Sequence, residues 1–224
     1  MNPPSDRRAF LTRTTLAAVG LGASWASGSG CGLRKEPLPT QTFVLKGPVS
    51  TAIRAGAGGP PPVAVLLVRP FKVATAFDSR SFVVRRSESE YVADAYHAFL
   101  VSPGAMFTDL VAEWARGLNL FSTVTTGGSQ VVPTHALEAD VTELYADYRD
   151  AASPKAVIAG QFRLLNPPVG ARTGSTALGT VNGREEVGIP KKGAEELVAG
   201  WERGLGDWCG QLGSLLRERM FPAG

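Results

Sequence analysis

Histidine and cysteine are nearly absent from this chain, with two of each in 224 residues. Two cysteines exclude a small scaffold stapled by several disulfides, and two histidines leave no material for a histidine-based metal cluster. No apolar run of about 18 or more residues lies beyond the N-terminal stretch, which excludes a polytopic helical membrane protein. An excess of charge is missing as well. The chain carries +3 overall, but residues 1–30 hold Arg7, Arg8 and Arg13 against Asp6 alone, so the remainder keeps a net charge of only +1. That near-neutrality supplies no electrostatic footprint for nucleic acid, and no nucleic-acid partner is expected. With 44% hydrophobic and 19% charged residues, the chain is too apolar to be wholly disordered, and its length suits one folded domain behind a leader.

The leader occupies residues 1–30. A cationic start is followed by a weakly apolar run from Thr14 to Ala26 and then by small residues, the order of an export signal. Arg7-Arg8 followed by Ala9-Phe10-Leu11 resembles the twin-arginine motif, in which the arginines and the Phe-Leu pair are read by the export receptor. Gly20, Gly22, Gly28 and Gly30 argue against a buried amphipathic helix here. Ser29-Gly30-Cys31 is similar to the end of a bacterial lipobox, which implies a lipidated Cys31 as the new N-terminus. The pattern prefers leucine where this chain has Gly28; plain cleavage before a free Cys31 is the alternative. Residues 31–62, with Glu36-Pro37-Leu38-Pro39 and Gly56 to Pro62, read as a Pro/Gly-rich tether containing an edge strand at Phe43-Val44-Leu45.

Residues 63–224 read as an α+β domain. Val63–Val68 is a short apolar run typical of a buried strand; Phe82–Arg85, Tyr91–Phe99 and Phe121–Thr125 follow as strands. Ser102-Pro103 supplies an N-cap and a first-turn proline, and Phe107, Leu110, Val111, Trp114 and Leu118 recur at helical spacing, predicting a helix to about Gly117. Leu137-Ala139-Val141 and Ala156-Ile158-Gly160-Phe162-Leu164 alternate as half-exposed strands do. A further strand between Thr173 and Val187 is expected to break at Asn182-Gly183, a hairpin signal. Leu197, Trp201, Leu205, Trp208, Leu212 and Leu215 mark a long helix over about 194–219. The order predicts a mixed, mostly antiparallel sheet with two main helices packed on one face.

No Gly-x-Ser-x-Gly elbow, Walker A loop or His-Glu-x-x-His helix occurs, so no catalytic, cofactor or metal site is expected. His97 and His135 stand apart in the sequence, and isolated histidines are more often packing or surface residues than catalytic bases. Glu185-Glu186 and Glu195-Glu196 read as solvated faces. Cys209, on the last helix, is expected to be a buried, inert thiol. Trp201 and Trp208 share one helix face and read first as core. An association surface is the sharper alternative, shared with the aromatics Phe71 and Phe77.

Val63–Val68, then Phe77-Asp78-Ser79-Arg80-Ser81-Phe82-Val83-Val84-Arg85, then Tyr96-His97-Ala98-Phe99 leading into Pro103, resemble the auxiliary lipoprotein family of ABC-type transport systems, which contains PqiC and YmbA. The likeness spans most of residues 40–220 as an order of elements. It departs where Ser79 separates Asp78 from Arg80, adjacent in many relatives, and where Phe99 stands near a common tryptophan. The resemblance implies a non-enzymatic accessory part of an MCE-type transporter moving lipid between inner and outer membranes. Its partners would be an MCE-family periplasmic protein and an ABC permease/ATPase complex. The chain would be held by N-terminal acyl chains at the periplasmic face of the outer membrane; some members assemble into a homo-oligomeric ring. Two other readings remain: a structural lipoprotein for outer-membrane assembly, and an exported hydrolase using His97 or His135.

Overall fold

The computed structural model describes residues 40–52, 63–128, 130–167 and 174–220. The chain separates into Met1–Pro37 and Leu38–Gly224, and every described residue belongs to the second unit. Arg7, Arg8, Phe10, Leu11 and Cys31 lie outside the described residues.

Among the described residues, nine strands and two helices follow in the order β1 (Gln41–Phe43), β2 (Val65–Val68), β3 (Lys72–Val73), β4 (Ser81–Arg85), β5 (Tyr91–Phe99), α1 (Pro103–Gly117), β6 (Thr123–Thr125), β7 (His135–Asp147), β8 (Lys155–Asn166), β9 (Thr176–Gly188) and α2 (Ala194–Met220). The fold is α+β with a mixed, open, largely antiparallel sheet, as the order of elements predicts. The thirteen-residue β7 is its spine. One side of β7 pairs along its length with antiparallel β8, and β8 with antiparallel β9. The other side is shared in turn by β2, β3 and β4, each parallel and short. β6 extends the sheet beyond β2, while β5 and then β1 extend it beyond β4.

Strand alternation assigns the two faces. Leu137, Ala139, Leu144 and Ala146 of β7 face the helices with Ile158, Phe162 and Leu164 of β8, and all are buried. Both helices complete this core. In α1, Phe107, Val111 and Trp114 are buried, and Thr108 accepts the Phe71 N–H through Oγ1 (2.9 Å). Ser102 sits at the N-cap, yet its hydroxyl makes no capping bond; the first-turn proline needs no partner for its nitrogen, which leaves one fewer orphan donor to satisfy. Asn119, in the left-handed region at φ 56°, ends α1. In α2, Glu195 and Glu196 in the first turn and Arg217 and Arg219 in the last agree with the helix dipole.

Two expectations change. Asn182-Gly183 is not a turn: β9 runs unbroken, with Asn182 opposite Gln161 and Gly183 opposite Gly160. The two facing glycines leave a bare strip of sheet, and the Trp208 indole occupies it. A Cβ at Gly183 would lie 2.7 Å from Trp208 Nε1, and one at Gly160 would lie 2.8 Å from Trp208 Cη2. The domain also starts earlier than residue 63. Within the stretch read as tether, β1 pairs with β5, Leu45 is buried, and the Lys46 N–H donates to Glu202 Oε1 of α2 (2.7 Å). Residues 40–52 therefore belong to the domain, because burying Leu45 and pairing β1 outweigh the local Pro/Gly signal.

Candidate functional site

The sheet face away from the helices is open, and its β7–β9 half is a ladder of paired charges. Arg69 pairs with Glu138, and Arg163 reaches both Glu138 (3.4 Å) and Asp140 (2.6 Å). Arg184 pairs with Glu186 and with Glu143 (3.2 Å), and Lys155 joins Glu186 (2.7 Å). Arg149 pairs with Asp147 (2.7 Å) and with Glu88, which also meets Arg85 (3.0 Å). Hydrogen bonds from Arg149 hold the Asp147 carboxyl below the usual carboxylate range, and those from Lys155 and Arg184 do the same for Glu186. Both therefore stay ionised at neutral pH, the opposite of a raised general acid. An open depression of about 560 Å³ lies beside them, lined by Glu88, Asp147, Arg149, Asp150, Ser153 and Lys155.

Tyr145 forms a small apolar island on this face. Its ring is buried, stacked on Phe77 (centroids 5.7 Å, 27°) and edge-on to Tyr91 (5.4 Å, 90°). Its hydroxyl donates to Glu143 Oε2 (3.1 Å) and accepts from Arg184 Nη2 (3.3 Å), while the Arg85 guanidinium lies over the Tyr91 and Tyr145 rings. Burial pushes the Tyr145 phenol above its ordinary pKa and keeps it neutral.

The β1–β5 corner differs in chemistry. β5 carries a bulge opposite Ser81–Val83 of β4, where Asp94 Oδ1 accepts the N–H groups of Tyr96 (2.8 Å) and His97 (3.2 Å). Phe43 and Phe99 face the helix-side core, so alternation turns Val44, Tyr96, Ala98 and Leu100 to the open face. Val44 is 53% exposed, Tyr96 50% and Leu100 51%; Val101, next in the chain, is 44% exposed.

The residues singled out from the sequence are dispersed. Trp201 and Trp208 are both in the core: Trp201 meets Phe82 edge-on (5.0 Å) and donates Nε1–H to the Val157 carbonyl (3.1 Å), whereas Trp208 stacks on Phe162 (4.1 Å). Phe71 is buried against Phe162 and Phe77 is half-buried on Tyr145. The expectation of an association surface at Trp201, Trp208 and Phe71 is thus overturned, because the sheet itself covers them. Cys209 is buried and its thiol pKa is driven far up by desolvation, as expected for an inert packing residue. His97 Nδ1 pairs with Asp94 Oδ2 (2.8 Å), and His135 Nδ1 with Thr134 Oγ1 (2.9 Å). Burial lowers the pKa of His135. His135 opens β7, whereas β4, to which β5 pairs, joins β7 at its far end, so the fold does not bring the histidines together. Sequence reading missed the Val44–Tyr96–Leu100 corner, although Tyr96, Ala98 and Leu100 at alternate positions were a signal for it.

Among the described residues no group of three or more His, Cys, Asp or Glu is arranged to hold a metal ion, and no helix is long and apolar enough to cross a membrane. No family model matches the chain, nor does any curated protein sequence. Among solved structures, the fold is similar to that of XCC0632 from Xanthomonas campestris, a DUF330 protein, with a TM-score of 0.64 and 17% identity over 79% of this chain and 95% of that one. It is also similar to a second, uncharacterized protein, with a TM-score of 0.55 and 15% identity over 80% of this chain and 98% of that one. The domain thus has a fold of the kind seen in DUF330 proteins.

Proposed function

We propose that this chain is a membrane-anchored periplasmic accessory lipoprotein of an MCE-type ABC transport system, positioning a transporter component and catalysing no reaction itself. The observation that carries this reading is the fold likeness to a DUF330 protein over nearly the whole of that chain. DUF330 corresponds to the PqiC/YmbA-like proteins whose motifs the sequence resembles. The lipobox-like Ser29-Gly30-Cys31 supplies the anchor, and acyl chains on Cys31 hold the domain at the periplasmic face of the outer membrane. Anchoring raises the effective concentration of the domain toward a partner reaching across from the inner membrane. The charge ladder of β7–β9 is internally balanced, so on contact it contributes register and selectivity more than affinity.

The test is genetic and biochemical. Deleting this gene and the cognate MCE gene, singly and together, should weaken the outer-membrane permeability barrier equally in all three strains. Crosslinking in intact cells should recover an MCE protein with the wild-type chain and lose it with Arg163→Glu. An additive double deletion, or restoration of function that depends on His97 or His135 as a reactive group, would overturn the proposal.

A further inference from the structure

Among the described residues, no strand pairs with the outer edge of β9. The strands β1 and β6 at the other ends of the sheet have three residues each, whereas β9 has thirteen. Shortness, proline, bulges and charge are the usual guards of such an edge. β9 has no proline, and its one irregularity lies near its start, opposite Leu164 and Leu165; from Gly179 to Gly188 the register with β8 is unbroken. One bond tells which of its main-chain groups are free. The Ile189 N–H donates to the Pro154 carbonyl (3.0 Å), in register with the Gly188–Lys155 pair. Hydrogen-bonded pairs alternate along an antiparallel ladder, so the odd-numbered residues of 181–187 bond to β8 and the even-numbered ones turn outward. Thr180, Asn182, Arg184 and Glu186 therefore present eight main-chain N–H and C=O groups in a row. The next outward carbonyl, that of Gly188, is closed off by Arg203 Nη2 (3.1 Å).

We infer that β9 pairs with β9 of a second copy of this chain, antiparallel about a two-fold axis at Gly183, so that two sheets become one. The alternating donors and acceptors of the edge are matched by an extended strand, and this strand complements itself. With Gly183 on the axis, residues 179–187 pair end to end with the same residues of the copy, Thr180 opposite Glu186 and Asn182 opposite Arg184. All eight outward groups are then bonded. No charge lies directly opposite a like one, since Glu185 meets Val181, and the diagonal approach of the two Arg184 side chains is compensated by Glu143 and Glu186 in each copy. The helices fit the same arrangement. α2 runs along β8 and β9, with Gly204 over Ile158 and Val187, and Trp208 over Gly160 and Gly183. Two strand spacings, about 10 Å, would separate it from its copy, an ordinary distance between packed helices. The contact is isologous and closes at a dimer. It goes beyond the accessory role proposed above and does not depend on the anchor at Cys31.

The full chain carrying Cys31→Ala, which cannot be acylated, isolates this contact. Light scattering should give twice the chain mass of 23.6 kDa. Asn182→Pro removes an outward N–H and leaves the bonds to β8 in place, so it should halve the mass while the far-ultraviolet circular dichroism stays unchanged. A nitroxide attached at Asn182→Cys is selective, because Cys209 is buried. It should show strong dipolar broadening, since residue 182 and its copy are diagonal neighbours about 7–8 Å apart, and dilution with unlabelled chain should remove the broadening. A single-chain mass for the Cys31→Ala protein overturns the inference and leaves the edge to a strand of another protein. A dimer that survives Asn182→Pro overturns it too, by placing the contact elsewhere. Should Asn182→Pro fail to fold, the nitroxide decides: a dimer without broadening at residue 182 refutes the pairing.

Discussion

The five-membered ring of Trp208 packs directly against Gly183. The six-membered edge of the same indole covers Gly160, the residue paired with Gly183 across β8 and β9. The helix can approach the sheet this closely because neither strand residue carries a Cβ beneath the ring. Gly183→Ala should therefore act as an overpacking substitution. It is expected to cost about 1–3 kcal/mol and lower the melting temperature by several degrees, measured by circular dichroism. In Gly183→Ala/Trp208→Leu the two losses should be less than additive.

The two buried tryptophans should respond differently to phenylalanine. Trp201 donates a hydrogen bond to the Val157 carbonyl, whereas Trp208 Nε1 has no partner among the described residues. Trp201→Phe loses a bond of about 0.5–1.5 kcal/mol in addition to its packing, so urea unfolding should rank it below Trp208→Phe. Light scattering should show the same mass for both variants, since neither side chain reaches the surface.

Residues 40–52 should be indispensable to the domain. A chain trimmed to begin at Val63 loses β1 and the buried Leu45, and it is expected to be markedly less stable than one beginning at Leu38. Leu45→Ala alone should cost about 2–5 kcal/mol by chemical denaturation. Equal stability of the two trimmed chains would return these residues to the leash.

Acid should loosen the Asp147–Arg149 corner. Hydrogen bonds from Arg149 hold the folded Asp147 pKa below its ordinary 3.8. The resulting stabilisation is full above about pH 4 and is lost as the pH falls through the lower folded value. Asp147→Asn should lower stability at pH 7 and flatten the decline below pH 4, followed by thermal melts across that range.

Local pattern was enough for much of the architecture. The 3.6-residue spacing around Trp114 and from Leu197 to Leu215, and the alternation through Ala139 and Ile158, placed both helices and the central strands, because each element shows its buried face in its own period. What alternation cannot state is which neighbour covers that face. Trp201 and Trp208 read first as core and second as interface, and β8 and β9 beneath them decide for core. Asn182-Gly183 carried the chemistry of a turn, yet the indole above Gly183 and the pairing to Gly160 made it strand. An edge strand at Phe43-Val44-Leu45 was legible within the Pro/Gly-rich stretch, but only β5, fifty-odd residues away, sets its position at Gln41–Phe43 and ties the stretch to the domain. The Val44–Tyr96–Leu100 corner is likewise a product of that pairing. Residues distant in the chain become one surface only when the sheet sets them side by side, and that is tertiary information.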